Sequence, residues 1–167
     1  FLRAEGALKN WNMGGTAGDF YKTGVELSFE QWGAKGATAY LADNSSTPAV
    51  YTDPAGLNSY SGSVSTITIA WDDSNSEEQK LERIITQKWL AMFPLGLEAW
   101  ADYRRTGFPK LMPVKVNNSG GIVNSERGAR RLSYPQEERR DNTVNYNAAL
   151  GMLGGADNMA TDVWWAK

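Results

Sequence analysis

The chain contains no cysteine and no histidine. The first absence excludes disulfides, thiol nucleophiles and thiolate metal sites. The second excludes imidazole ligands and the usual general base of Ser-His-Asp hydrolysis. Only chemistry built on carboxylates, lysine or tyrosine stays open, and no cofactor is expected. A lack of cysteine does not fix the compartment, because a secreted chain can do without it. No apolar run is long enough for a bilayer: the longest, Trp89 to Ala101, is interrupted by Pro94 and Glu98. Charge of one sign is also missing. Lysine plus arginine number 17 against 19 aspartate plus glutamate, a formal net charge of -2 with no basic run, which argues against a nucleic-acid partner. There is no signal peptide, and Phe1 to Leu8 reads as the middle of an amphipathic helix without initiator methionine or cap. The expectation is a fragment whose upstream part has been removed.

What is present fits one modest domain. The 167 residues, 41% of them hydrophobic, can build a real core, and no second domain or low-complexity tract stands out. Phe1 to Asn10 reads as a helix end, with Phe1, Leu2, Ala4 and Leu8 as apolar positions, and Trp11 to Gly15 as a turn. Thr16 is a good N-cap with Asp19 three residues on. Ala17 to Trp32 follows as a helix whose apolar positions are Phe20, Tyr21, Val25, Leu27, Ser28, Phe29 and Trp32, ended by Gly33 and Gly36. Two helices around a Gly-Gly turn resemble one tetratricopeptide unit, which needs neighbours to cover its apolar face.

Ala37 to Asn75 is a long polar stretch, functional or disordered by length alone, in which Val64 to Trp71 alternates like a short strand. Ser76 and Gln79 then form a capping-box pattern with Glu77 and Glu78 at the positive helix start. Leu81, Ile84, Ile85, Trp89, Met92 and Phe93 mark one face of this helix until Pro94 and Gly96 break it. Leu97 to Arg105 reads as the next helix, with Leu97, Trp100 and Ala101 inward, stopped by Gly107 and Pro109. Lys110 to Gly128 is irregular with a turn at Asn117 to Gly121. Arg130 to Pro135 is extended, Thr143 to Leu153 a short helix left at Gly154-Gly155, and Thr161 to Trp165 too apolar to dangle.

Several clusters invite chemistry, and each has a plainer reading. In Glu98 to Arg105 the helical spacing makes no reactive acid-base dyad; a structural role, with Arg104 or Arg105 bridging helix ends and loop carbonyls, is favoured. Arg130 and Arg131 beside Tyr134 could read an acidic sugar or a peptide carboxylate, but pairing with nearby acids is the simpler use. Asp72, Asp73 and Asn75 offer oxygens yet lack a spaced calcium loop, so a solvated turn capping the next helix is expected. Trp71, Tyr60 and Tyr51 are the candidate ligand-binding residues. Flat rings among serine, asparagine and aspartate suit sugars, which present C–H faces beside hydroxyls. The plainer reading is that these rings anchor a long loop.

Three stretches resemble the SusD/RagB family of nutrient-binding outer-membrane lipoproteins. The first is Trp11-Asn12-Met13-Gly14-Gly15 with Phe29-Glu30-Gln31-Trp32-Gly33. The second runs from Ile85-Thr86-Gln87-Lys88-Trp89 through Gly96-Leu97-Glu98-Ala99-Trp100-Ala101-Asp102-Tyr103-Arg104-Arg105 to Thr106-Gly107-Phe108-Pro109. The third is Arg130-Arg131-Leu132-Ser133-Tyr134-Pro135, leading to Leu153 to Asn158 and Trp164-Trp165.

The resemblance implies a mainly α fold of tetratricopeptide-like helix pairs, with long irregular loops and one or two short β-strands. On this view residues 1–167 form a single C-terminal portion of a SusD-like domain, with upstream helices and the lipid anchor absent. The implied function is non-catalytic capture of an oligosaccharide, or in some members a peptide, for a SusC-like TonB-dependent transporter. The implied place is the extracellular face of the outer membrane, held through the absent N-terminal lipid anchor. Two alternatives stand beside it: a structural segment supporting the partner transporter, and a carboxylate-dependent glycoside hydrolase, for which no sequence motif identifies the required acid pair.

Overall fold

The structure, a computed structural model, describes residues 1–166. It is mainly helical, in the order α1 (Leu2–Leu8), α2 (Ala17–Gln31), α3 (Ala37–Leu41), α4 (Glu77–Ala91), α5 (Gly96–Thr106), α6 (Gln136–Asp141) and α7 (Thr143–Leu153). Among the described residues β-pairing is limited to two isolated antiparallel bridges, Tyr51 with Tyr60 and Asn124 with Gly128. Two compact units result. The first takes residues 1–50, 62–103 and 107–111; the second takes 51–61, 104–106 and the chain from Met112 onward.

In the first unit, α1 packs on α2 and α4, and α2 also packs on α3 and α4. The starts of the long helices follow their sequence signals. Thr16 is extended and its side chain accepts from the Asp19 N–H at 3.1 Å. Ser76 makes the full reciprocal box, its Oγ accepting from Gln79 N and its own N–H donating to Gln79 Oε1. These bonds use donors that a helix start leaves without intrahelical partners. Ala4, Tyr21, Val25 and Ile84 form a buried core, with Phe1, Phe20, Phe29 and Trp71 packed against it. Leu81, Ile85 and Phe108 form a second cluster.

The segment expected as a strand over Val64 to Trp71 forms no ladder. Its carbonyls are taken by side chains instead. The Tyr21 hydroxyl donates to Ile69 O at 2.7 Å, and Arg83, itself buried, donates from Nε to Thr68 O at 2.8 Å. Arg83 also reaches Asn75 Oδ1 at 2.8 Å, so one guanidinium ties both this segment and the turn ahead of α4 to that helix. A second departure is α3, a short helix inside the long polar stretch, begun at Gly36 with φ +92°. The inward positions also shift. Leu27 and Leu97 are exposed, and α5 buries Ala99 and Asp102 instead. Asp102 Oδ2 lies 2.6 Å from the buried Lys88 Nζ, an ion pair that turns that face of α5 toward α4.

In the second unit α6 packs on α7. α6 went unpredicted because Gln136 to Asp141 is entirely polar and carries no apolar period; its acids sit in the first turn and its arginines in the last, as the helix dipole favours. The tail docks through two contacts. Asp162 pairs with Arg127 and Arg130, and the Trp165 ring lies 4.8 Å from the Arg104 guanidinium carbon. Trp164 between them is 95% exposed.

Candidate functional site

The three aromatics singled out as ligand-binding candidates occupy two settings. Tyr51 and Tyr60 belong together in the second unit. They exchange both main-chain hydrogen bonds, Tyr60 N to Tyr51 O at 2.8 Å and Tyr51 N to Tyr60 O at 3.3 Å. Residues paired this way send their side chains to the same face. The loop between them is built around Asp53. Its carboxylate accepts from the N–H groups of Ala55, Leu57 and Asn58 at 3.0, 3.1 and 2.8 Å, while its own N–H donates to Ser59 Oγ at 3.0 Å. These backbone N–H groups hold the Asp53 carboxyl below the usual carboxylate range. The result is a closed finger whose aromatic base is partly open, with Tyr51 45% exposed. An exposed ring beside serine and asparagine groups can take the C–H face of a sugar while the polar atoms meet its hydroxyls.

Trp71 lies in the first unit. Its ring sits 5.3 Å from that of Tyr21 at 37°, and its indole N–H donates to Asp73 Oδ1 at 2.8 Å. Gly18 makes this seat possible, since a Cβ there would stand 2.7 Å from Trp71 Nε1. One side of the indole therefore closes the core.

The arginine-rich stretches are accounted for by internal pairing. Arg130 Nε lies 2.6 Å from Asp162 Oδ1 and Arg131 Nη1 2.6 Å from Asp157 Oδ1. Asp157 is the centre of a larger group that sequence reasoning missed. It also meets Arg139 at 2.8 Å, accepts from Tyr134 N at 3.0 Å and accepts from the Tyr146 hydroxyl at 3.2 Å. The rings of Tyr134 and Tyr146 meet edge to face at 5.9 Å, and Arg131 stacks over Tyr134 at 4.7 Å. Burial alone would raise the Asp157 pKa, but the hydrogen bonds from Arg131, Tyr134 and Tyr146 outweigh it and hold the carboxyl low. That low pKa reflects a carboxylate whose oxygens are already used, which is scaffold chemistry. Asp72 is likewise spent in its own turn, accepting from the Ser74 N–H and hydroxyl and from Asn75 Nδ2. Among the described residues no group of three or more acids gathers to hold a metal ion, and no helix is long and apolar enough to cross a membrane.

A family model described as SusD-like, Susd and RagB outer membrane lipoprotein, matches residues 1–166. The chain belongs to the SusD-like family. Solved relatives share the fold closely. A SusD homolog from Bacteroides uniformis ATCC 8492 is 62% identical with a TM-score of 0.93, over 99% of this chain and 35% of that one. A chitin-binding SusD homolog from Flavobacterium johnsoniae is 52% identical with a TM-score of 0.88, over 98% of this chain and 34% of that one. A SusD homolog from Bacteroides thetaiotaomicron VPI-5482 is 52% identical with a TM-score of 0.89, over 99% and 36%. Among curated proteins there is no match. The chain spans about a third of the length of the solved SusD-like structures it matches. The helical SusD-like architecture expected from the sequence is thereby established.

Proposed function

We propose that this SusD-like chain is part of a non-catalytic glycan-binding component of a nutrient-uptake system, which hands its ligand to a SusC-like TonB-dependent transporter at the extracellular face of the outer membrane. The observation that carries the reading is family membership along the whole described chain, joined to 52% identity with a chitin-binding SusD homolog. The family description as outer membrane lipoproteins supports the location. The acids Asp157, Asp162 and Asp102 are each engaged by arginine or lysine, which supports a binding role over carboxylate catalysis.

Within this reading Tyr51 and Tyr60 offer sugar-stacking rings on a braced finger, and Trp71 offers the open part of its indole. Calorimetric titration of the full-length protein with chito-oligosaccharides and a panel of other oligosaccharides tests the proposal. Binding without release of new reducing ends is expected. Tyr51→Ala should weaken binding by roughly tenfold, about the contribution of one aromatic contact. Unchanged affinity in Tyr51→Ala, Tyr60→Ala and Trp71→Ala alike would remove these residues from the site. New reducing ends would replace the binding role with hydrolysis.

A further inference from the structure

Between Lys35 and Lys80 the chain carries no lysine or arginine, and every charged side chain in that stretch is a carboxylate. All three candidate sugar-stacking rings lie in it. The finger from Tyr51 to Tyr60 holds a single charged residue, Asp53. Its carboxylate accepts from the main-chain N–H groups of Ala55, Leu57 and Asn58. Those donors satisfy its lone pairs and keep it ionised, but they are dipoles and bring no positive charge. The finger therefore presents a full negative charge at neutral pH. Asp53 follows Tyr51 by two residues, so their Cα atoms stand at most about 7 Å apart. That is inside the screening length of roughly 8 Å at physiological salt. The tyrosine rings add to the sign, since an aromatic ring is negative over its face and attracts cations.

A sugar carboxylate taken out of water needs a cation in exchange. The two adjacent arginines suited to supply one are already committed: Arg130, 1% exposed, holds Asp162, and Arg131, 6% exposed, holds Asp157. We propose that the Tyr51–Tyr60 finger selects its glycan by charge. It takes neutral and amine-bearing sugars and turns away carboxylated ones such as uronic acids, with Asp53 as the discriminating residue. Two unit charges about 7 Å apart in water shift an affinity about threefold, and further where the loop excludes solvent. The inference rests on the glycan-binding reading and deepens it, because that reading names no charge class.

The test titrates the full-length protein with matched probes: a chito-oligosaccharide, the same oligomer oxidised to carboxylate at its primary hydroxyls, and the same oligomer stripped of its acetyl groups. The carboxylated probe is expected to bind at least about threefold more weakly than the neutral one at low salt, with a smaller gap at high salt. Asp53→Asn keeps the size of the side chain and removes its charge. Relative to the neutral probe, affinity for the carboxylated probe should then rise about threefold and affinity for the amine probe should fall about threefold. A merely structural Asp53 would move all the probes together. Thr52→Lys, at an exposed position beside Asp53, should raise the relative affinity for the carboxylated probe and serves if Asp53→Asn does not fold. Equal binding of the neutral and carboxylated probes to the parent protein would overturn the proposal and leave glycan binding standing. Ratios unmoved in the variants would do the same. Binding of no oligosaccharide at all would overturn the glycan reading itself, and this inference with it.

Discussion

Arg104 and Arg130 each donate to the other's main-chain carbonyl: Arg104 Nη1 reaches Arg130 O at 3.1 Å, and Arg130 Nη2 reaches Arg104 O at 3.0 Å. Two like charges thus face each other across a reciprocal bond, and burial together with the Arg130 charge lowers the Arg104 pKa. Asp162 makes the arrangement tolerable. Its carboxylate holds Arg130, which is 1% exposed, and Arg127 from the other side. Replacing Asp162 by alanine leaves the buried Arg130 charge without that acid. A loss of about 1–3 kcal/mol is expected, below the range for fully buried pairs because Asp162 itself is partly exposed. Urea unfolding of Asp162→Ala checks the figure, and a midpoint equal to that of the parent protein would contradict it.

The Asp157 hub makes stability depend on pH. Its carboxyl pKa is lower in the folded chain than the ordinary value of 3.8. The folded state therefore binds fewer protons at this site than the unfolded one. The stabilisation is complete above the unfolded value and is lost as pH falls through the folded one. Asp157→Asn removes this term. The Tm difference between the parent protein and Asp157→Asn should be widest at neutral pH and should narrow below about pH 4. A difference that stayed constant down to pH 2 would mean that the pairing with Arg131 contributes nothing titratable.

Gly18 is the second residue of α2, where alanine would gain less than the roughly 1 kcal/mol of a helix interior. Here the added methyl would meet the indole of Trp71 at 2.7 Å, and the ring is held by Tyr21 and Asp73. Overpacking of about 1–3 kcal/mol should outweigh the propensity gain, so Gly18→Ala is expected to destabilise. Thermal unfolding gives the sign directly. A rise in Tm would show that Trp71 moves aside without cost.

Ser76→Ala removes the acceptor of the α4 capping box and leaves Gln79 N–H unbonded at the helix start. A loss of about 1 kcal/mol is expected. Gln79→Ala should cost less, because it leaves the Ser76 acceptor in place. Paired chemical denaturation curves rank the two, and the reverse order would refute the assignment.

The local signals in this chain were legible where one residue decides the outcome. Thr16 and Ser76 start helices because their side-chain oxygens satisfy N–H groups three residues on, and that arithmetic is written in the sequence. The glycine after α5 was equally plain: Gly107 has φ +75°, a conformation in which a side chain would be strained. The resemblance to the family is carried by residue types from Ile85 to Pro109. What failed were inferences of burial from period. Leu27 and Leu97 fit a helical stripe and are exposed, while Lys88, Arg83 and Asp102 interrupt the pattern and are buried. A charged group can go inside when a partner waits there, and no local pattern reports the partner.

Residue types and local spacing by themselves determined the helix starts, the absence of thiol and imidazole groups, and the resemblance, which in turn implied the helical class. Each of these depends on residue type or on neighbours within a turn. The tertiary structure decided the rest: that Val64 to Trp71 gives its carbonyls to Tyr21 and Arg83 instead of to a strand, that Arg131 and Tyr146 meet at Asp157, and that Trp71 leans on Gly18. These contacts join residues 11 to 53 positions apart, or meet through a shared partner, and their energy appears only after chain entropy has been overcome to bring them together.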